Sequence, residues 1–211
     1  MTGRVAAAPS HPVNPSHPVN PGNLAKRGPA PVVAGCCGLA GAVLIRVAVA
    51  GPAGARSAAA GIVFAVALLV LATALGVRVP TPRRRDLPIG LMGAAVLCCG
   101  PLLTRPGHGQ LTTPAGFWPW AAVVALVAVA EEVLLRGALF DAVAGWRGAD
   151  AAVLVTSTAF ALLHAPVYGW HVLPLDLAVG LGLGALRLWT GGVTAPAAAH
   201  LAADLAGWWL R

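Results

Sequence analysis

Two glutamates, Glu131 and Glu132, stand side by side inside an apolar run, and they are the only two in 211 residues. An ionisable side chain in hydrocarbon costs roughly 2.5–3.5 kcal/mol on insertion scales, so each one needs a reason to be there. Arg136 follows Glu132 by four positions. On a helix the two share a face, where the guanidinium neutralises the carboxylate and fixes its rotamer. Glu131 is turned about 100 degrees from its neighbour and keeps no local counter-ion. A desolvated carboxylate so placed suits a general base. Two further apolar runs carry Phe160 with His164, and His200 with Asp204, each pair four residues apart. Taken alone, His164 reads as a core histidine bonded to a carbonyl, and Asp204 as an acid that merely orients His200. Left unpaired, Glu131, Glu132, Arg136, His164, His200 and Asp204 would cost on the order of 10 kcal/mol in a bilayer. The three polar faces can instead converge on one acid–base site in its inner half. A cluster in which the charges only pair with one another is the structural alternative.

The elements that must carry these residues follow from composition. Hydrophobic residues make up 58% of the chain and charged residues 10%, against roughly 25% charged in an ordinary soluble domain. With a mean hydropathy of +0.78, so little charge excludes a soluble enzyme and excludes disorder for most of the chain. The apolar stretches, rich in Ala, Leu and Val without alternating polar positions, predict membrane helices rather than a barrel. The expected fold is all-α: a polytopic transmembrane bundle of about seven spans with a disordered N-terminal tail. The spans are expected near 30–50, 58–77, 87–104, 118–140, 150–166, 173–190 and 193–210.

Residues 1–29 form the expected tail, because a Pro-rich hexapeptide, Ser10 to Pro15, is repeated from Ser16 to Pro21 and cannot build a helix. His11 and His17 within it read as solvated. No cleavable signal peptide is expected. Three N-terminal helices would occupy 30–116, and a core of about four helices, holding the ionisable residues, 117–211. Gly191-Gly192 between the last two spans predicts a tight hairpin, and Gly180, Gly182 and Gly184 suit close helix packing. With the N-terminus inside, nine Lys and Arg lie in the cytoplasmic parts and three outside, so a cytoplasmic N-terminus and an outer C-terminus are expected. The only basic cluster, Arg83 to Arg85, lies between two spans, which argues against nucleic acid as a partner. Thirteen Arg against one Lys suggests a GC-rich bacterial genome.

The paired cysteines, Cys36-Cys37 and Cys98-Cys99, lack zinc or redox spacing and read as small apolar residues at helix contacts. Most tryptophans, Trp118, Trp120, Trp170, Trp189, Trp208 and Trp209, fall near span ends as an interfacial belt would. Trp146 is expected in a cytoplasmic loop, His108 and His171 in loops. Asp176 and Arg187 fall near the ends of the sixth span and read as interfacial.

Taken in order, Glu131-Glu132 with Arg136, Phe160 with His164, and His200 with Asp204 resemble the motifs of the CAAX-protease and bacteriocin-processing (CPBP, or Abi) family. That family of intramembrane proteases includes the type II CAAX prenyl endopeptidases. The resemblance covers about residues 117–211. It implies an intramembrane endopeptidase in the cell membrane, with lipid around it and a membrane-associated peptide or protein as substrate; a prenylated substrate is not implied for a bacterial chain. Glu131 would match the catalytic glutamate, activating water with His164. Glu132 and Arg136 would match the pair that shapes the site, with Phe160 beside them, and His200 and Asp204 would stabilise the oxyanion. Many members have Asn where this chain has Asp204, and an Asp donates to an oxyanion only when protonated.

One carboxylate and two histidines, Glu131, His164 and His200, would also suit zinc with an open position for water. The chain lacks the two-histidine helix of the zincins, so no required cofactor is expected. The competing reading is a non-enzymatic membrane protein, such as an immunity factor, a scaffold or a proton-coupled carrier, since buried Glu and His also build proton relays. A carrier would more usually show internal repeats, and none is visible.

Overall fold

The computed structural model describes residues 28–54, 57–104 and 116–208. The repeats of the N-terminal tail, His11, His17, His108 and Trp209 lie outside them. The described chain runs through α1 (Ala30–Gly54), α2 (Ala58–Ala74), α3 (Asp86–Thr104) and α4 (Phe117–Glu132). A π-helical segment, Val133–Leu139, leads without a break into α5 (Phe140–Arg147). Then come α6 (Ala149–Tyr168), a 3-10 turn at Trp170–Val172, α7 (Leu173–Thr190) and α8 (Thr194–Ala206). No strand occurs among the described residues. Each expected apolar run falls on a helix, but seven is an approximate count of spans. Among the described residues, three stretches have the length and apolarity to cross a membrane, Ala30–Ala48, Ala149–Tyr168 and Trp170–Thr190, while Ala58–Ala74 and Asp86–Cys99 are apolar but shorter.

Local chemistry sets the helix ends. Ser57 Oγ accepts the Ala60 N–H at 3.3 Å and starts α2. Asp86, in the first turn of α3, accepts the Arg83 N–H at 2.9 Å. Gly148, with φ 90°, separates α5 from α6, and Gly191, with φ 72°, ends α7 in the left-handed conformation. The hairpin expected at Gly191-Gly192 is formed there.

The fourth run departs from the expectation of one helix over 118–140. Helical structure continues to Arg147, so Trp146 belongs to α5 and not to a loop, and the middle of the run is π-helical. Hydrogen bonding explains the change. In an α-helix the Phe140 N–H would bond to the Arg136 carbonyl. Here it bonds to Leu135 O and Gly137 O instead. The released Arg136 carbonyl accepts Arg187 Nε–H from α7 at 2.8 Å, so that carbonyl is not orphaned. His171, expected in a loop, lies in the 3-10 turn and is exposed.

Small residues bring the site-bearing helices together. A Cβ on Gly180 would lie 3.0 Å from Ser157 Cα, and one on Gly184 2.9 Å from Val153 Cγ1, so α7 and α6 touch along a small-residue face. On the other side, a Cβ on Gly90 of α3 would lie 2.6 Å from the Ala195 carbonyl oxygen of α8. The tightest core surrounds the π segment, where Leu134, Leu135 and Leu139 have no exposed surface and Leu68 and Leu183 pack into the same cluster. Outward-facing positions are apolar as well, among them Leu44, Val66, Val96 and Leu154. That exterior suits hydrocarbon, not water.

Candidate active site

Three helices deliver the ionisable residues to one place. Glu131 and Glu132 close α4, Arg136 sits in the π segment, Phe160 and His164 lie on α6, and His200 and Asp204 on α8. The expected Glu132–Arg136 pair is formed: Arg136 Nη1 donates to Glu132 Oε1 at 2.7 Å, with both side chains fully buried. Arg136 also donates from Nη2 to the Gly180 carbonyl at 3.0 Å and lies 5.0 Å above the Phe160 ring. One guanidinium therefore ties α4, α6 and α7 together. Its fork geometry is what allows this, and lysine has no equivalent.

His200 is the hub. Its Nδ1 donates to Glu132 Oε1 at 3.0 Å, and its Nε2 faces Glu131 Oε2 at 4.0 Å and Asp204 Oδ2 at 3.5 Å. Glu131 has no counter-ion on its own helix, as its spacing suggests, and the nearest basic group comes from α8. Asp204 differs from the other acids, since 45% of its side chain is exposed. It stands at the rim of the cavity that Glu131 lines from within.

His164 Nδ1 lies 2.9 Å from its own helix's Phe160 carbonyl. An N–H there leaves Nε2 as an acceptor. The carbonyl bond expected of an isolated core histidine is therefore present, in a residue that also lines the cavity with Glu131, His200 and Asp204. Phe160 packs between the two histidines, with ring centroids 4.7 Å from His164 and 5.2 Å from His200. The cavity measures about 830 Å³.

Residues 113–206 match the family model described as type II CAAX prenyl endopeptidase Rce1-like. That stretch is similar to the family's domain, and is called the Rce1-like domain below. No curated protein and no solved structure shows significant similarity to the chain. The Rce1-like domain holds every residue singled out above, from Glu131 to Asp204, and its family is of protease type. Together with the apolar helices, it makes this a membrane protein.

Asp176 and Arg187, read as interfacial, lie in the first and last turns of α7 and also make contacts within the Rce1-like domain. Asp176 Oδ2 lies 3.7 Å from His164 Nδ1, because the first turn of α7 packs beside the end of α6. Arg187 reaches the Arg136 carbonyl and also donates from Nη2 to Asp141 Oδ1 at 2.8 Å. Arg46 was not singled out at all. It reaches the cavity from α1, outside the Rce1-like domain, with its guanidinium 4.7 Å from the Phe64 ring centroid. The criterion that marks Glu131, an ionisable residue inside an apolar run, applies equally to Arg46 in the run 30–50 and would have found it.

The possible zinc ligands, Glu131, His164 and His200, all line this cavity. Among the described residues no three His, Cys, Asp or Glu side chains are grouped so as to hold a metal ion. His200 Nδ1 and His164 Nδ1 are engaged by Glu132 and Phe160.

Proposed function

We propose that the chain is an intramembrane endopeptidase that hydrolyses a peptide bond of a membrane-associated substrate. The observation that carries this reading is the cavity in which buried Glu131 faces His200 Nε2, with His164 and Asp204 on the same wall. The protein crosses the cell membrane several times with its N-terminus on the cytoplasmic side. The apolar exterior and the excess of basic residues in the inner loops support that topology.

Glu131 acts as general base. A water held between its carboxylate and His164 Nε2 loses a proton to Glu131 as its oxygen attacks the substrate carbonyl. The oxyanion that forms is met by His200 Nε2–H. Because Nδ1 already donates to Glu132, this requires the imidazolium form, whose charge is matched by Glu132, Glu131 and Asp204. Glu131 then passes its proton to the leaving nitrogen as the C–N bond breaks. Glu132, Arg136 and Phe160 hold the geometry and touch no reacting atom. The scheme uses no metal.

The test is cleavage of membrane-anchored peptides by protein purified in detergent, comparing wild type with Glu131→Ala and His164→Ala, each with and without chelator. The expected result is cleavage by wild type that survives chelation and is lost in both variants. Cleavage that persists in Glu131→Ala overturns the mechanism. Loss on chelation, restored by zinc, overturns the metal-free scheme alone. Absence of cleavage across a broad peptide set, with a folded protein, favours the non-enzymatic reading.

A further inference from the structure

Arg187 lies on α7, away from the cavity, and makes three contacts, one to the π segment and two to the first turn of α5 that follows it. Its Nε donates to the Arg136 carbonyl at 2.8 Å, its Nη2 pairs with Asp141 Oδ1 at 2.8 Å, and its guanidinium lies 4.9 Å from the Phe140 ring centroid. The Arg136 carbonyl is the one that the π geometry releases, since the Phe140 N–H bonds past it to Leu135 O and Gly137 O. A buried carbonyl with no donor costs about 1–3 kcal/mol, which would favour a return to α-helical bonding. Arg187 removes that cost and leaves the π form as the favoured state.

The consequence reaches the site through the backbone. Arg136 presents its carbonyl to Arg187 and its guanidinium to Glu132 and Gly180. Glu132 in turn holds His200 Nδ1, and His200 Nε2 faces Glu131. If the π segment relaxed to α-helical bonding, the residues before and after it would rotate relative to each other by an amount approaching the 100 degrees of one residue. The Arg136 side chain could not then keep both Glu132 and Gly180. Such misplacement by about 1 Å is enough to cost catalysis roughly 100-fold.

We propose that Arg187 is a positioning residue for peptide-bond hydrolysis, acting as a clamp that keeps Val133–Leu139 in π-helical form and so sets the register of Arg136 against Glu132 and His200. This rests on the endopeptidase reading above. Arg187 touches no substrate and supplies no proton.

The experiment compares wild type, Arg187→Gln, Arg187→Lys, Asp141→Asn and Glu131→Gln in detergent, measuring kcat and KM per folded molecule together with amide hydrogen exchange. In Arg187→Gln, kcat falls roughly 10- to 100-fold with KM unchanged. Arg187→Lys, which can still donate to the carbonyl, recovers part of that loss, and Asp141→Asn, which spares the carbonyl bond, loses less. Exchange quickens over 133–140 and stays as in wild type over 149–168. Wild-type kcat in folded Arg187→Gln, or exchange that changes uniformly along the chain, overturns the proposal. A merely structural role would lower the yield of folded protein without moving kcat per folded molecule. If Arg187→Gln does not purify folded, the Lys and Asn variants carry the same comparison. Undiminished cleavage by Glu131→Gln, or none by wild type, defeats the endopeptidase reading instead, and the exchange data then decide the clamp by themselves.

Discussion

The helices before and after residue 113 are held in place by different physics. Among the described residues of α1 to α3, Asp86 is the one buried charged side chain, and it serves the start of its own helix. Contacts there depend on shape, as where a Cβ on Gly38 would lie 2.7 Å from Leu71 Cδ1. From α4 to α8 the buried set includes Glu131, Glu132, Arg136, Thr156, Ser157, Thr190 and His200. There the helices are joined by hydrogen bonds that need particular atoms: Glu132 to His200, Arg136 to Gly180, Arg187 to Arg136. Shape tolerates substitution when volume is kept. A bonded polar network does not, because each deletion strands a partner where water is scarce.

That contrast can be broken or sharpened by substitution, from the largest expected effect to the smallest. Glu131→Gln removes the proton acceptor with almost no change in shape, so kcat for peptide cleavage should fall roughly 10²- to 10⁴-fold or more while thermal stability in detergent holds. Arg136→Met keeps much of the volume but leaves Glu132 charged and buried, and should cost about 3–5 kcal/mol in unfolding measurements. If it costs no more than a matched swap in α2, the contrast drawn above fails. Gly180→Ala pushes a methyl group into Ser157 and should cost about 1–3 kcal/mol, with activity falling as α7 is displaced from Arg136.

Asp204→Asn tests the exposed rim of the site. With Asn, an N–H is always available to the oxyanion, so turnover should stay within an order of magnitude of wild type, about 1.4 kcal/mol in the barrier. A larger loss would mean that the negative charge beside His200 matters more than a donor. Val96→Leu, on the exposed outer face of α3, should shift stability by no more than about 0.5 kcal/mol.

The sequence could be read wherever the relevant neighbours lie within one turn of the same helix. Glu132 with Arg136, and His200 with Asp204, follow from a spacing of four and are found at 2.7 and 3.5 Å. The apolar runs likewise located the helices, because burial in lipid leaves a continuous compositional trace. Partners on different helices leave no such trace. Glu132 and His200 are 68 residues apart, and Arg136 and Arg187 are 51 apart. The packing of the helices, including the small-residue contacts of α6 with α7 and of α3 with α8, brings these pairs together.

The π segment was hidden for a related reason. Val133–Leu139 reads as an ordinary apolar stretch, and its bonding pattern is decided by a cation on α7. Position alone makes Asp176 and Arg187 read as interfacial and leaves their partners unstated. Neither spacing nor composition says that one turn of α7 lies against His164, or that a guanidinium near its end reaches back to the π segment and α5.

The contact of α3 with α8 bears on where the working unit of this protein begins. Gly90 lies against Ala195, and Gly93, whose Cβ would stand 3.3 Å from Ala199 Cβ, against the residue just before His200. The matched segment starts at 113, so the helix that seats this histidine lies outside it. Residues 113–206 expressed alone would contain every motif yet leave the back of α8 open to lipid. The matched segment and the packed unit around His200 therefore have different boundaries. A graft of the motif-bearing segment onto another scaffold would have to bring α3, or a glycine-faced substitute for it, along with it.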